Sequence, residues 1–267
     1  MPGKHGGQQT MISEKAVVSP KAKIGKGVTI YPFAYIEKDV EIDNDCVIYP
    51  FVSIMRGTVL GKRNTVYQGT VVGAEPQDFN YSGDMTRVEI GNDNVIRENV
   101  VINRATYKDG VTRIGNNNFI LEGVHISHDT NVCDRCVFGY GTKIAGDCEI
   151  HDGTILSSNV IVNPGVRVGI AAMVSSGCRV SKDVPPYIVA NGNPVEYGGL
   201  NRQVLSGHGV DEKTQEHIAN AYRLIFHGQT SVRDAIMQVE EQVPDGEEIR
   251  NIVAFIRATR LGIISKI

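Results

Sequence analysis

A valine, isoleucine, leucine or phenylalanine stands at almost every sixth position from Val18 to Val180. The run opens with Val18, Ile24, Ile30, Ile36, Ile42, Ile48, Ile54, Leu60, Val66 and Val72. It resumes at Ile90, Ile96 and Ile102, then holds from Ile114 to Val180, and only Asp78, Asp84 and Lys108 break it. Two positions before each beat sits a small or β-branched residue, as at Ala16, Ala22, Val28, Ala34, Val40, Cys46, Val52 and Thr58. Such a period fits neither an amphipathic helix nor an alternating strand. It predicts a parallel β-helix, each hexad forming one flat wall of a coil, with the aliphatic beats stacked as the core.

The coil is expected over residues 16–187, after an N-terminal extension of residues 1–15. It closes at Asp183-Val184-Pro185-Pro186-Tyr187, where two prolines remove backbone donors and end strand propagation. The interruptions at Pro76–Met85 and Thr106–Val111 are too polar for a core. They are expected to project as loops, which is where binding residues commonly sit.

Beyond Asn191-Gly192-Asn193-Pro194 the period disappears, and residues 188–267 read as a linker followed by a small α-helical domain. A helix is expected from Asp211 to His227, with Ile218, Ala221, Tyr222 and Ile225 on one side and Gly228 as its stop. Ser231 and Asp234 form a capping signature for a second helix reaching Gln242. Asp245 with Glu248 is expected to open a third, carrying Ile249, Ile252, Val253 and Ile256 along one side.

Composition narrows the function classes. A formal net charge of −3 argues against a general nucleic-acid binder. No stretch has the apolar length of a membrane span. The polar, glycine-rich opening MPGKHGGQQT carries no apolar signal core, so a cytoplasmic protein is expected, with Met11 a candidate natural start. Five cysteines include the CxxC of Cys133 and Cys136, which invites a redox or zinc reading. However, Cys46, Cys136, Cys148 and Cys178 all fall on the small position two before the beat, so they read as apolar core filler.

Two histidines stand out. In Val124-His125-Ile126-Ser127-His128-Asp129 the inward beat is Ile126, which turns His125 and His128 away from the core. A carboxylate beside His128 can orient its ring and favour its protonated form. A metal site is the rival reading, because gamma-class carbonic anhydrases ligate zinc with three histidines on the same coil. The only later coil histidine here is His151, so no metal is expected.

Several stretches together resemble one family. They are the hexads, the loop Ala74-Glu75-Pro76-Gln77-Asp78-Phe79, the run from Val124 to Asp129, the closing Asp183–Tyr187 with Gly192-Asn193, and the tail Ala219-Asn220-Ala221-Tyr222-Arg223-Leu224-Ile225. That family is the acyl-carrier-protein–UDP-N-acetylglucosamine O-acyltransferases, and the resemblance covers nearly all of the chain after Met11. It implies a left-handed β-helix, a cytoplasmic homotrimer and the first step of lipid A synthesis. In that step a 3-hydroxyacyl chain passes from the carrier's phosphopantetheine thioester to the sugar 3-hydroxyl, with no further cofactor. His128 matches the general base, with Asp129 beside it, and the Gly146 N–H matches the oxyanion donor. Gln77, Asp78, His125 and Asn201 match substrate-binding residues. The acidic carrier needs a basic docking face, for which Arg223 and, on the last helix, Arg250, Arg257 and Arg260 are the candidates.

The chain also departs from the family pattern. Asn80 stands where a lysine is common, Asp147 and Asn163 replace histidines, Pro164 replaces a glutamine, and Gly207 and His208 replace arginines near the nucleotide phosphates. These changes leave the base intact but remove donors for the pyrophosphate. The alternatives are an acyl- or acetyltransferase of the same fold acting on a 3-amino sugar nucleotide or using acetyl-CoA, and an inactive paralogue. The related N-acyltransferase of the pathway carries a large extra N-terminal domain, and here the hexads begin near Ala16.

Overall fold

A computed structural model of the chain describes residues 9–207 and 209–265. Its main body is a left-handed parallel β-helix of triangular section, whose walls are three sheets of 11, 9 and 8 strands. Most strands are two residues long: an outward residue followed by the inward beat, as in Val47–Ile48. From Ile30 onward the beats are buried, with Ile30, Ile48, Ile96, Ile120, Phe138 and Val162 all at 0% exposure, while Val18 and Ile24 in the first coil are only partly covered. Each such aliphatic side chain contributes roughly 1.5–3 kcal/mol by leaving water.

Successive coils pair at an offset of 18 residues, as in Val47 with Thr65. Across the first interruption Thr65 pairs with Val95, and across the second Val95 pairs with Phe119. The first loop thus absorbs two whole hexads, whose beats would have been Asp78 and Asp84. The second absorbs one, that of Lys108. Whole-hexad insertions leave the inward–outward alternation of the coil undisturbed, whereas a slip of one residue would reverse it.

The coil is longer than the expected boundaries at both ends. Met11–Ile12 pairs with Thr29–Ile30, so the beat starts one hexad earlier, at Ile12. Residues 1–8 of the expected extension lie outside the described residues. At the other end, Ile188–Asn191 continues the first sheet beside Met173–Val174, and Glu196–Leu200 adds an antiparallel strand to it. The residues expected to form a linker therefore finish the sheet. This corrects the boundary at 187, which marks only where hexad periodicity stops; a sheet can continue by backbone pairing alone.

The position two before the beat is mostly filled by small or β-branched side chains that are buried from Val28 onward, and several of those with a polar atom reach a corner carbonyl. Thr130, Thr142 and Thr154 donate to Ala145, Ser157 and Gly169 at 3.0–3.1 Å. Cys46, Cys136 and Cys148 donate in the same way to Gly61, His151 and Asn163 at 3.0–3.2 Å. A buried asparagine ladder fills three more of these positions, with Asn94 Nδ2 on Asn64 Oδ1 at 3.0 Å and Asn118 N–H on Asn94 Oδ1 at 2.9 Å. Burial pushes the thiols of Cys46 to about 11 and of Cys136 and Cys148 to about 12.

Four helices cap the C-terminal end. A short α1 (Arg202–Gly207), with no counterpart among the expected helices, precedes α2 (Glu212–His227), α3 (Val232–Gln242) and α4 (Glu247–Arg257). The Asp211 carboxylate accepts the Thr214 N–H, and Ser231 Oγ accepts the Asp234 N–H, as the capping signals require. Asp245 does not cap α4: Gly246 is the N-cap, and Asp245 pairs with Arg250 at 2.6 Å. The helices are bonded to the coil through Tyr222 Oη on the Pro186 carbonyl and Thr259 on Asp183. The Arg167 guanidinium also lies 4.3 Å over the Phe255 ring.

These thiols generate a prediction. In the native protein at mildly alkaline pH, Cys46, Cys136 and Cys148 are expected to resist a disulfide reagent over hours, since the thiolate is the reacting form. All five cysteines should react after unfolding in denaturant. Rapid native labelling of any of the three buried thiols would contradict this placement.

Candidate active site

The edge of the prism that follows the second sheet gathers the unusual residues. Strands Val71–Ala74, Val101–Asn103, His125–Ile126 and Lys143–Ile144 lie side by side in that sheet. The first loop leaves after Ala74, the second after Asn103, His128-Asp129 turns after Ile126, and Gly146 turns after Ile144. Stacking of coils therefore brings Asp78, Thr106, His128 and Gly146 together although they are far apart in sequence.

His128 is flanked on both sides by carboxylates. Its Nδ1 lies 2.9 Å from Asp129 Oδ2, and its Nε2 lies 3.7 Å from Asp78 Oδ2. The second distance is too long for a hydrogen bond. Asp129 is itself held by two further bonds: Oδ2 accepts the Thr106 backbone N–H at 2.9 Å, and its own N–H donates to Thr112 Oγ1 at 2.9 Å. Its φ of 56° is one that aspartate tolerates better than most residues. A neutral His128 whose Nδ1–H donates to Asp129 presents the lone pair of Nε2 outward, as a general base requires.

Gly146 lies against the imidazole. A methyl group built at this residue would sit on the ring, 2.6 Å from Nε2, so any larger residue must push the histidine aside. The Gly146 N–H meets no acceptor among the described residues and is free to receive an oxyanion.

The other expected residues fall into different settings. His125 is half-buried on the adjacent strand; burial, then the neighbouring Lys143 cation and His128, hold its pKa below the usual histidine range. Asp78 is held below the usual carboxylate range, first by the Asn80 N–H and later by His128. Asn80, at the common lysine position, thus serves to fix Asp78, donating from N and Nδ2 to its Oδ1 at 3.0 and 3.1 Å. Gln77 is exposed on the same loop. Asp147 is pushed upward, first by desolvation and then by Asp129 and Asp78.

Asn201 is on another edge. It is buried, and its Nδ2 donates to the Ala171 carbonyl at the corner between the third and first sheets. The arginines considered for docking are exposed on the helical cap. Arg250 and Arg257 are already paired, with Asp245 and Glu240, and Arg260 lies beyond α4 rather than on it. His208 falls outside the described residues. No group of three or more possible metal-binding side chains occurs among the described residues. His151 packs edge-on against Phe255, 5.8 Å between ring centres.

Sequence reasoning missed Thr106 and Arg104. Thr106 acts through its backbone N–H, which leaves no side-chain signal. Arg104 is 2% exposed and bonded to the first loop.

The chain is similar to proteins of known activity. Residues 183–264 match the family model described as "Udp N-acetylglucosamine O-acyltransferase; Domain 2". The acyl-[acyl-carrier-protein]–UDP-N-acetylglucosamine O-acyltransferase of Thermodesulfovibrio yellowstonii is 34% identical over 253 residues, which cover 94% of this chain and 98% of that protein. The crystal structure of the UDP-N-acetylglucosamine acyltransferase of Bacteroides fragilis is 44% identical, with a TM-score of 0.94, over 95% of this chain and all of that one. The Francisella novicida UDP-N-acetylglucosamine acyltransferase is 33% identical, with a TM-score of 0.93, over 96% of this chain and 94% of that one.

The fit of glycine beneath the imidazole sets a sharp expectation. Gly146→Ala should still fold, because the atoms its methyl group meets belong to the His128 side chain, which can swing aside, and with the histidine displaced turnover falls about 100-fold or more. Steady-state rates alongside a thermal melt check this; a variant with wild-type turnover would remove Gly146 from the site.

Proposed function

The chain belongs to the UDP-N-acetylglucosamine O-acyltransferase family, and we propose that it passes a 3-hydroxyacyl chain from acyl-carrier protein to the 3-hydroxyl of UDP-N-acetylglucosamine with His128 as base. The observation that carries the proposal is the arrangement around the imidazole: Nδ1 on Asp129, Nε2 open toward Asp78, and Gly146 packed against the ring with an N–H that meets no acceptor among the described residues.

A sugar hydroxyl is a weak nucleophile at neutral pH. His128 Nε2 takes its proton while the oxygen attacks the thioester carbonyl, and Asp129 stabilises the resulting imidazolium. The tetrahedral oxyanion is met by the Gly146 N–H. Collapse breaks the carbon–sulfur bond, and the phosphopantetheine thiolate leaves with the proton that His128 had taken. Asp78 and Gln77 on the first loop and His125 on the sheet hold the sugar nucleotide, and the neutral state favoured at His125 lets its ring both donate and accept. Asn201 is carried over only by its match, since its amide is engaged at Ala171.

The donor is a carrier-bound thioester, so the chemistry needs no resident cofactor. Arg223 and Arg260 are exposed to meet an acidic carrier, and Arg250 and Arg257 join them by exchanging partners. A cytoplasmic location goes with two water-soluble substrates; no described helix is long and apolar enough to cross a membrane.

A homotrimer is part of the reading, and the outer faces support it. The third sheet presents paired charges, with Lys23 on Glu41 and Arg167 on Glu149. The first sheet presents Val47, Val95, Phe119, Val137, Ile155 and Met173 outward. An apolar face of that length is a protein contact, and cyclic packing of one copy's first sheet against the next copy's second sheet covers it.

Two measurements test the proposal. His128→Ala should lower transfer between purified acyl-carrier donor and UDP-N-acetylglucosamine by about 10²–10⁴-fold, with product mass as readout; near wild-type transfer would refute the mechanism. Ile155→Asp should convert the trimer to smaller species in sedimentation, and an unchanged sedimentation coefficient would refute the face assignment.

A further inference from the structure

Arg104 is the largest fully buried side chain among the described residues. It stands two residues past the inward Ile102, as His128 stands past Ile126 and Gly146 past Ile144, so it belongs to the same corner column as the site. Pro164 stands two residues past Val162 further along, and the coil geometry has no need of a cation there. Burying a guanidinium carries a desolvation cost that hydrophobic replacement would avoid, so its presence is poorly explained by stability.

Its bonds all run to the end of the strand Val71–Ala74 and the loop that follows it. Nη1 donates to the Gly73 carbonyl at 3.0 Å, and Nη2 donates to Glu75 Oε1 at 2.8 Å and to Tyr81 Oη at 2.9 Å. The guanidinium lies 5.6 Å from the Tyr81 ring centre, and the Arg104 N–H donates to the Ala74 carbonyl. Tyr81 in turn donates Oη to the Asp84 carbonyl, and its N–H to the Asp78 carbonyl. Next to it, Asn103 Nδ2 donates to the Glu75 carbonyl at 2.6 Å. One side chain thus ties both the entry and the middle of the loop that carries Gln77 and Asp78.

We propose that Arg104 is a positioning residue for the acceptor substrate: from one coil below His128 it holds Gln77 and Asp78 at the histidine edge. This rests on the functional reading above. The donor thioester meets Gly146, which is on the far side of His128 along the column, so Arg104 acts on the sugar nucleotide and not on the carrier. Lysine cannot replace it, because three acceptors are engaged by a planar fork.

Arg104→Lys and Tyr81→Phe are the test, with KM measured separately for each substrate. Arg104→Lys is expected to raise the KM for UDP-N-acetylglucosamine about 10-fold or more and to change that for the acyl-carrier donor by less than about 2-fold. Tyr81→Phe is expected to show the same split at smaller size. Amide hydrogen exchange at residues 75–86 should accelerate in Arg104→Lys and slow again when UDP-N-acetylglucosamine is added. A folded Arg104→Lys whose two KM values both match wild type, or rise alike, would overturn the proposal. If that variant does not fold, Tyr81→Phe decides by the same split. A wild-type protein that transfers no acyl chain would refute the functional reading instead, and unchanged exchange at 75–86 in Arg104→Lys would then overturn the role of Arg104 separately.

Discussion

The direction of each side chain on the coil is set by the aliphatic layer at its centre. One inward residue in six must face the stack, because exposing it forfeits its burial and leaves a void that its neighbours cannot fill. Once Ile102, Ile126 and Ile144 point inward, the residues two positions later are committed to a corner, and coil-to-coil pairing aligns those corners. Arg104, His128 and Gly146 form one column for that reason. The loops obey the same constraint, since each replaces whole hexads and returns the chain in register.

Rigid placement is what this chemistry needs. His128, Asp129 and Gly146 are on short corners of a solenoid whose backbone is paired above and below, so the ring, its carboxylate and the glycine packed against it have little freedom to drift. Asp78, which faces the open side of the imidazole, comes instead from a long loop that needs attachment to hold its place. The buried bonds of Arg104 and the donors of Asn80 supply that attachment. Three carboxylates, Asp78, Asp129 and Asp147, gather about one imidazole, and Asp147 is pushed upward first by desolvation and then by the charges of the other two.

Much of this is legible in the sequence because period and geometry are directly linked. The beat identifies the coil, its gaps identify the loops, and the inward Ile126 is enough to turn both histidines outward. The asparagine ladder is hidden, because a polar residue at an inward position looks like an exception until its bond to the next coil is seen. Arg104 is hidden for the opposite reason: a charged residue beside a loop reads as solvated, and only the fold shows it enclosed. The strands at 188–200 carry no hexad signal and are held by pairing with Met173–Val174. Asp245 has the chemistry of a cap, but Arg250 within reach takes its carboxylate instead. Asn201 carries its motif match in the sequence but spends its amide on a corner carbonyl.

The most direct test of the central claim is a crystal structure of the protein with UDP-N-acetylglucosamine bound. The account predicts the sugar 3-hydroxyl within hydrogen-bond reach of His128 Nε2, about 3 Å, with Asp78 on the sugar and the Gly146 N–H facing the space where the thioester carbonyl arrives. A sugar seated elsewhere on the coil, or one whose 3-hydroxyl points away from His128, would contradict it.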